Sequence, residues 1–188
     1  MTDTQLNLAI IIGSTRKDRF CPVPAKWFAA EAAGHDGIEV DLIDLADMEL
    51  PDTLDHSMDV AALGPRLAAA DAFVVVTPEY NHSYPAALKT AIDHFHAEWQ
   101  AKPVGFVSYG GMAGGLRAVE HLRQVFAELH ATTVRDTLSF AQFWDRFDAG
   151  GRPKDAESAS AAARSMLGQL AWWGTALREA REARPYAA

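Results

Sequence analysis

The sequence predicts an α/β fold, a three-layer sandwich in which a parallel sheet lies between two layers of helices. Short apolar runs alternate with longer amphipathic stretches along the chain, as expected when helices cover both faces of a buried sheet. The length of 188 residues predicts a single domain over residues 1–188. With 49% hydrophobic and 22% charged residues, the composition is that of a globular protein and excludes disordered and collagen-like chains.

Five apolar runs are the predicted strands, at residues 6–12, 38–43, 72–77 and 103–109 and, more weakly, at 132–140. Two strand orders are common in doubly wound sheets. The dinucleotide-binding order needs six strands, whereas the order 2-1-3-4-5 needs five. The strand count therefore favours the flavodoxin-like order 2-1-3-4-5.

Five helices are predicted between and after these strands. Pro22 and Pro24 mark the start of the first helix, and Pro85 is well placed in the first turn of the third. The pair Gly64-Pro65 is expected to start or kink the second helix. Apolar residues at helical spacing indicate the third, fourth and fifth helices: Leu88, Ala91, Ile92 and Phe95; Val119, Leu122, Phe126 and Leu129; Met166, Leu170, Trp173 and Leu177.

Charge and cysteine content restrict the partners and the location. Seventeen basic and 25 acidic residues give a net charge of −8, which disfavours binding to nucleic acid or to an anionic membrane. No apolar window is long enough to span a membrane, and the N-terminus does not resemble a signal peptide. Because Cys21 is the single cysteine, a disulfide framework and a cysteine zinc site are excluded, and a cytoplasmic location is expected. The histidines lack zinc-site spacing, so no metal is expected.

The candidate binding site consists of three loops at one edge of the sheet, because ligands of this fold lie beyond the carboxyl ends of the strands. The loop at residues 13–21 carries hydroxyls, two arginines and the start of a helix, a combination that suits a phosphate. A plain polar turn is the alternative, but such turns are usually only about 2 to 6 residues long. The loop matches neither the Walker motif nor the dinucleotide-binding motif.

The loops after the third and fourth strands complete this edge. Prolines bracket the loop at residues 77–85 and stiffen it, so that its tyrosines and backbone groups suit a planar heterocycle. The loop at residues 108–115 contains Gly110, Gly111, Gly114 and Gly115, which are expected to let the backbone approach a ligand closely.

At these loops the chain resembles the NAD(P)H-dependent FMN reductases, a flavodoxin-like family that includes quinone, chromate and azo-dye reductases. The resemblance covers nearly the whole chain and is strongest at Gly13-Ser14-Thr15-Arg16 and at Thr77-Pro78-Glu79-Tyr80-Asn81-x-Ser83-x-Pro85-x-x-Leu88-Lys89. It implies FMN as cofactor, with Ser14, Thr15, Arg16, Arg19, Phe20 and Cys21 around its phosphate, Pro78, Glu79, Tyr80 and Asn81 along its ring, and Ser108, Tyr109, Gly110 and Gly111 on the other side of the ring.

Two of these positions depart from the family pattern. Arg19 stands where relatives often have serine, and Cys21 stands where many have asparagine or another small polar residue. Arg19 either strengthens phosphate binding or faces the phosphate of a nicotinamide dinucleotide, and the sequence leaves both open. A reactive thiol at Cys21 is disfavoured because no second cysteine can resolve it.

The resemblance implies an enzyme that passes hydride from NADPH or NADH through FMN to a small-molecule electron acceptor such as a quinone or free flavin. The flavin performs the chemistry, so no catalytic side chain is expected. Two alternatives stay open: a flavodoxin-type electron carrier and a flavin-binding module without turnover.

Aromatic residues outside the predicted core bear on assembly. Residues 140–147 carry four aromatic side chains after the last strand, and Trp99 is expected to end the third helix. An apolar group of this size near a surface predicts a homodimer or homotetramer, with Trp144 at the interface or the flavin entrance. The alternative is that these rings cover the sheet edge beneath the last helix. Trp172 and Trp173 are expected in the core or at subunit contacts.

Overall fold

A computed structural model of the chain describes residues 5–187. It contains one parallel sheet whose strands are β1 (Leu6–Ile12), β2 (Ile38–Asp44), β3 (Ala72–Pro78), β4 (Pro103–Gly110) and β5 (Thr132–Ala141). Neighbouring strands are paired in the order β2-β1-β3-β4-β5, which confirms the predicted flavodoxin-like order. Strands β2 to β5 extend slightly past the predicted runs, because backbone pairing continues beyond the last apolar side chain.

Five helices connect or follow the strands: α1 (Pro22–Ala33), α2 (Met58–Ala69), α3 (Ala86–Asp93), α4 (Leu116–Glu128) and α5 (Ala156–Ala183). Pro65 lies inside α2, so the expectation that Gly64-Pro65 starts this helix is wrong. The helix begins earlier because the Ser57 hydroxyl accepts a hydrogen bond from the Val60 N–H and caps it. None of the helices in residues 5–187 has the length and apolarity needed to cross a membrane.

The helices form two layers. Helices α1 and α5 pack on one face of the sheet, where Phe28 and Leu170 contact a core that includes Leu8 and Ile10 of β1. Helices α2, α3 and α4 pack on the other face, where the alternate β1 residues Ala9 and Ile11 point. Both faces of β1 are therefore buried, which is why its sequence is continuously apolar.

Two tryptophans lie elsewhere than the sequence pattern indicates. Helix α3 ends at Asp93, and Trp99 lies beyond it with 1% of its surface exposed and its Nε1–H donating to the Ile92 carbonyl. Trp99 therefore belongs to the core and not to a surface aromatic group. Trp173 is 39% exposed, because α5 instead presents Gly174 to the sheet, where an added Cβ would lie 2.5 Å from Leu6.

A buried carboxylate anchors the C-terminal half of α5. The Asp71 side chain is 8% exposed and follows the end of α2. It accepts hydrogen bonds from the Asn7 N–H at 3.1 Å, from Arg178 at 3.0 Å and from Arg181 at 3.4 Å. One carboxylate thus holds α5 to the amino-terminal edge of the sheet.

We expect Asp71→Ala to lower the free energy of unfolding by roughly 3–5 kcal/mol, because it removes the carboxylate that pairs with two largely buried guanidinium groups and accepts a backbone N–H. Urea denaturation measures this loss. The matched control is Asp93→Ala, which removes an exposed ion pair with Lys89 on α3 and should cost about 0.5 kcal/mol or less. Equal losses for the two variants would contradict the anchoring role of Asp71.

Candidate functional site

A cleft of about 540 Å³ lies at the carboxyl ends of β1, β3 and β4. All three predicted loops contribute to it, together with a segment after β5. The residues that line it are Arg16, Asp18, Arg19, Phe20, Val23, Pro78, Glu79, Tyr80, Tyr109, Gly110, Gly111 and Phe143. The predicted residues Ser14, Thr15, Cys21, Asn81 and Ser108 are not among them.

The first loop is fastened to β3 before it reaches the cleft. The Gly13 N–H donates to the Val76 carbonyl at 2.9 Å, and an added Cβ at Gly13 would lie 3.0 Å from the same oxygen. The buried Ser14 hydroxyl lies 2.8 Å from the Tyr80 hydroxyl, so the pair links the first loop to the second. Thr15 lines a separate groove beside the end of β2. Ser14 therefore positions the loops and does not face the cleft.

The two arginines of the first loop differ in their partners. Arg19 forms an ion pair with Asp44 at the end of β2, while its buried Nε–H has no acceptor. Arg16 lines the cleft, and its guanidinium has neither an ion pair nor a hydrogen-bond partner within residues 5–187. Arg16 thus provides an unpaired guanidinium in a cleft that Asp18 also lines, and Arg19 provides an unused N–H donor.

Cys21 does not line the cleft and lies buried beside it, at the start of α1. It is the residue before α1, its thiol is fully buried, and its Sγ donates to the Val76 carbonyl at 3.3 Å. Burial raises the pKa of the Cys21 thiol to about 11, so the group stays protonated at neutral pH. This buried environment disfavours a reactive thiolate, in agreement with the sequence analysis.

The second loop closes with a tight turn. The backbones of Tyr80 and Ser83 exchange hydrogen bonds of 2.8 and 3.1 Å, and Asn81 and His82 between them both have positive φ. This is the geometry of a two-residue hairpin turn. Asn81 lies exposed at its tip, whereas Pro78 and Tyr80 line the cleft.

Glu79 joins the second loop to α4. Its carboxylate accepts the Arg117 N–H in the first turn of α4 at 3.2 Å and forms an ion pair with the Arg117 guanidinium. The Glu79 N–H donates to the Tyr109 carbonyl at 3.0 Å. A carboxylate at a helix N-terminus is stabilised by the unpaired N–H groups there. The side chain of Glu79 therefore positions the cleft wall.

The glycines of the third loop have two different roles. Gly110 and Gly111 line the cleft, as expected for close backbone approach. Gly114 and Gly115 have positive φ and pack on the sheet, where added Cβ atoms would lie 2.3 Å from the Ser139 Oγ and 2.6 Å from the Ser108 Cβ. The Ser108 hydroxyl donates to the Gly114 carbonyl at 2.9 Å, so it fastens this loop to the end of β4.

Three rings form one wall of the cleft. Phe20 lies 5.5 Å from Tyr109 and 4.9 Å from Phe143 between ring centroids, and the last two are 5.1 Å apart. Burial raises the pKa of the Tyr109 hydroxyl, which therefore stays neutral. Phe143 is missing from the residues predicted for the site. The aromatic segment at residues 140–147 is the signal that could have indicated it.

The remaining aromatic residues of that segment separate into buried and exposed ones. Phe140 and Phe147 are buried in the core, as the alternative of rings covering the sheet edge predicts. Trp144 is 67% exposed, and its Cη2 lies 3.9 Å from the position of an added Cβ at Gly111. Trp144 therefore stands at the rim of the cleft.

The cleft combines basic groups with an aromatic wall. The Arg16 guanidinium and the unused Arg19 N–H lie beside the start of α1, and Phe20, Tyr109 and Phe143 form the wall. This combination fits a phosphate joined to a planar heterocycle. Within residues 5–187, no group of histidine, cysteine and carboxylate side chains has the arrangement of a metal site.

Comparisons with known proteins agree with this geometry. The family described as NADPH-dependent FMN reductase matches residues 6–145. An NAD(P)H-dependent FMN reductase of Schizosaccharomyces pombe is 36% identical over 119 residues, which span 57% of this chain and 60% of the yeast protein. A 2-hydroxy-1,4-benzoquinone reductase of a Burkholderia species is 30% identical, over 78% of this chain and 84% of its own length.

The fold has close structural neighbours as well. The flavoenzyme NAD(P)H:acceptor oxidoreductase FerB of Paracoccus denitrificans superposes with a TM-score of 0.69 at 24% identity, covering 93% of this chain and 98% of FerB. At that identity the likeness shows the fold alone. The sequence match over residues 6–145 shows more: the chain belongs to the NADPH-dependent FMN reductase family.

Proposed function

We propose that this protein is an NAD(P)H-dependent FMN oxidoreductase that passes hydride from a nicotinamide to a small electron acceptor such as a quinone or free flavin. The observation that carries the proposal is the cleft itself, in which an unpaired arginine and a wall of rings meet in a chain of this family. When bound, FMN supplies a ring that takes up and releases hydride.

We propose that the first loop holds the phosphate of FMN. The Arg16 guanidinium lines the cleft and forms no ion pair with Asp18 or Glu79, the two carboxylates that also line it, so it is available for charge-assisted hydrogen bonds. The Arg19 Nε–H and the backbone N–H groups of Phe20 and Cys21 at the start of α1 add donors. Ser14 and Thr15 shape the loop on which these groups sit.

The second and third loops are the proposed ring site. Pro78, Glu79 and Tyr80 would border one side of the ring and Tyr109 the other, while Asn81 and Ser108 shape the two loops from outside the cleft. The N–H groups of Gly110 and Gly111 are placed to stabilise negative charge on the reduced ring, in the way that an oxyanion hole does. No side chain is needed as an acid or base.

The alternatives of an electron carrier and of a module without turnover are less well supported. Membership of a reductase family favours turnover with a nicotinamide donor. Relatives named as a benzoquinone reductase and as FMN-dependent NADPH-azoreductases favour small aromatic acceptors. Quinones and azo compounds are both reduced in two-electron steps, and hydride transfer supplies two electrons at a time.

We expect Arg16→Ala to weaken FMN binding about 10-fold to 100-fold, because charge-assisted hydrogen bonds contribute roughly 1.5–3 kcal/mol each. Riboflavin, which lacks the phosphate, should bind both proteins alike. Fluorescence titration of the apoprotein with each flavin measures this difference. Lys17→Ala is the matched control, since Lys17 is exposed beside Arg16 but does not line the cleft. Equal losses for the two flavins would remove Arg16 from the phosphate.

The reductase proposal is tested by rapid mixing of the FMN-loaded protein with NADPH and with NADH. We expect at least one of them to bleach the flavin absorbance in a single phase as fast as turnover with a quinone. Dithionite serves as the control, because it reduces a flavin without needing a nicotinamide site. Rapid bleaching by dithionite with very slow bleaching by both nicotinamides would favour the electron carrier instead.

We further propose a cytoplasmic homodimer, or a homotetramer built from dimers. The support is the exposed Trp144 at the cleft rim, near the exposed Met112 of the third loop. Light scattering at micromolar concentration should give a multiple of the 20.4 kDa chain mass, and Trp144→Ala should lower either this mass or turnover. Met58→Ala, at an exposed apolar side chain of α2, is the control. A monomer unaffected by Trp144→Ala would contradict the proposal.

A further inference from the structure

A second groove, of about 460 Å³, adjoins the cleft. Val23 lines both, so the two are continuous across the first turn of α1. We call it the α1 groove. Its lining residues are Pro22, Val23, Lys26, Trp27, Ala30, Ala149, Gly150, Gly151 and Arg152.

The α1 groove carries two unpaired cations. Lys26 and Arg152 are exposed, and their side chains have no ion pair or hydrogen bond with any residue from 5 to 187. No carboxylate lines the groove. Asp148 lies next to it in the chain, but its Oδ1 accepts the N–H groups of Gly150 and Arg152 at 2.9 Å and so shapes the loop. In a chain with a net charge of −8, such a surface indicates an anionic ligand.

Other grooves do not share this property. In the groove between α4 and β5, Arg123 and Arg135 are paired with Glu120 and Asp136. The groove beside the end of β2 is lined by Glu49 and Asp52 and, within residues 5–187, by no basic side chain. Neither of these grooves shares a residue with the cleft.

The α1 groove also offers a fixed indole. Trp27 is half-buried and makes edge contacts with Phe28 at 6.3 Å and with Phe140 at 5.8 Å between ring centroids. These contacts hold the indole in place, so the Trp27 side chain does not need to become ordered when a ligand binds in the groove. A rigid indole beside two cations suits a purine that carries phosphate.

We propose that the α1 groove binds the adenosine 2′-phosphate end of NADPH while the nicotinamide lies in the cleft. This inference rests on the proposed function, because it requires the hydride donor to enter the cleft. Lys26 and Arg152 bind the 2′-phosphate, and Trp27 packs against the adenine. NADH lacks that phosphate, so the protein uses NADPH in preference to NADH.

The first test is calorimetric titration of the full-length, FMN-loaded protein with adenosine 2′,5′-bisphosphate and with adenosine 5′-monophosphate. We expect the bisphosphate to bind at least about 10-fold more tightly, and Lys26→Ala and Arg152→Ala each to remove about 10-fold of its affinity. Arg164→Ala is the matched control, since Arg164 is an exposed arginine of α5 outside every groove discussed above. Equal binding of the two nucleotides to the wild-type protein would overturn the proposal.

Steady-state kinetics gives the second test. Both substitutions should raise KM for NADPH about 10-fold and leave KM for NADH and kcat unchanged. Equal increases for the two donors would place the cations at the pyrophosphate and overturn the 2′-phosphate assignment. FMN titration of the same variants separates this result from the proposed function, because Lys26 and Arg152 lie outside the cleft. A failure to bind FMN would contradict the proposed function, while nucleotide binding to the apoprotein would still test the α1 groove.

Discussion

The parallel pairing of β1 with β3 is the constraint on which the cleft depends. The register joins Ile12 to Val76, and the Gly13 N–H continues the ladder by donating to the Val76 carbonyl. Because the chain leaves β1 to form α1 and β2 on one side, the loops after β1 and β3 end next to each other with no strand between them. The Ser14 and Tyr80 hydroxyls link these two loops by a hydrogen bond. The cleft lies between the loops, beyond the carboxyl ends of the strands.

Rigidity of the cleft comes from contacts made outside it. Glu79 ties the second loop to the start of α4, and the packing of Gly114 and Gly115 on the sheet fixes the course of the third loop. The backbone at Gly110 and Gly111 is therefore held by contacts on both sides of it. A backbone fixed in this way avoids a cost of reorganisation on binding, and this is the kind of contribution a protein makes when a cofactor performs the chemistry.

The fold was predictable because strands buried on both faces appear in sequence as continuous apolar runs, and because their ends indicate which loops meet. The partners of individual side chains were not predictable. The sequence does not indicate which of Arg16 and Arg19 is ion-paired, because that depends on the position of Asp44 at the end of β2. Likewise, glycine content does not distinguish Gly111, which lines the cleft, from Gly114, which packs against Ser139.

Ion pairing between arginines and carboxylates also explains how a protein with a negative net charge can attract anionic ligands. Arg66, Arg117 and Arg181 are each paired with a carboxylate, so they contribute little field at a distance. Arg16 on one side of the start of α1 and Lys26 on the other are unpaired, and they add to the partial positive charge of the helix N-terminus. At physiological salt the Debye length is roughly 8 Å, so more distant charges are largely screened. The first turn of α1 therefore lies between two unpaired cations, one lining the cleft and one lining the α1 groove.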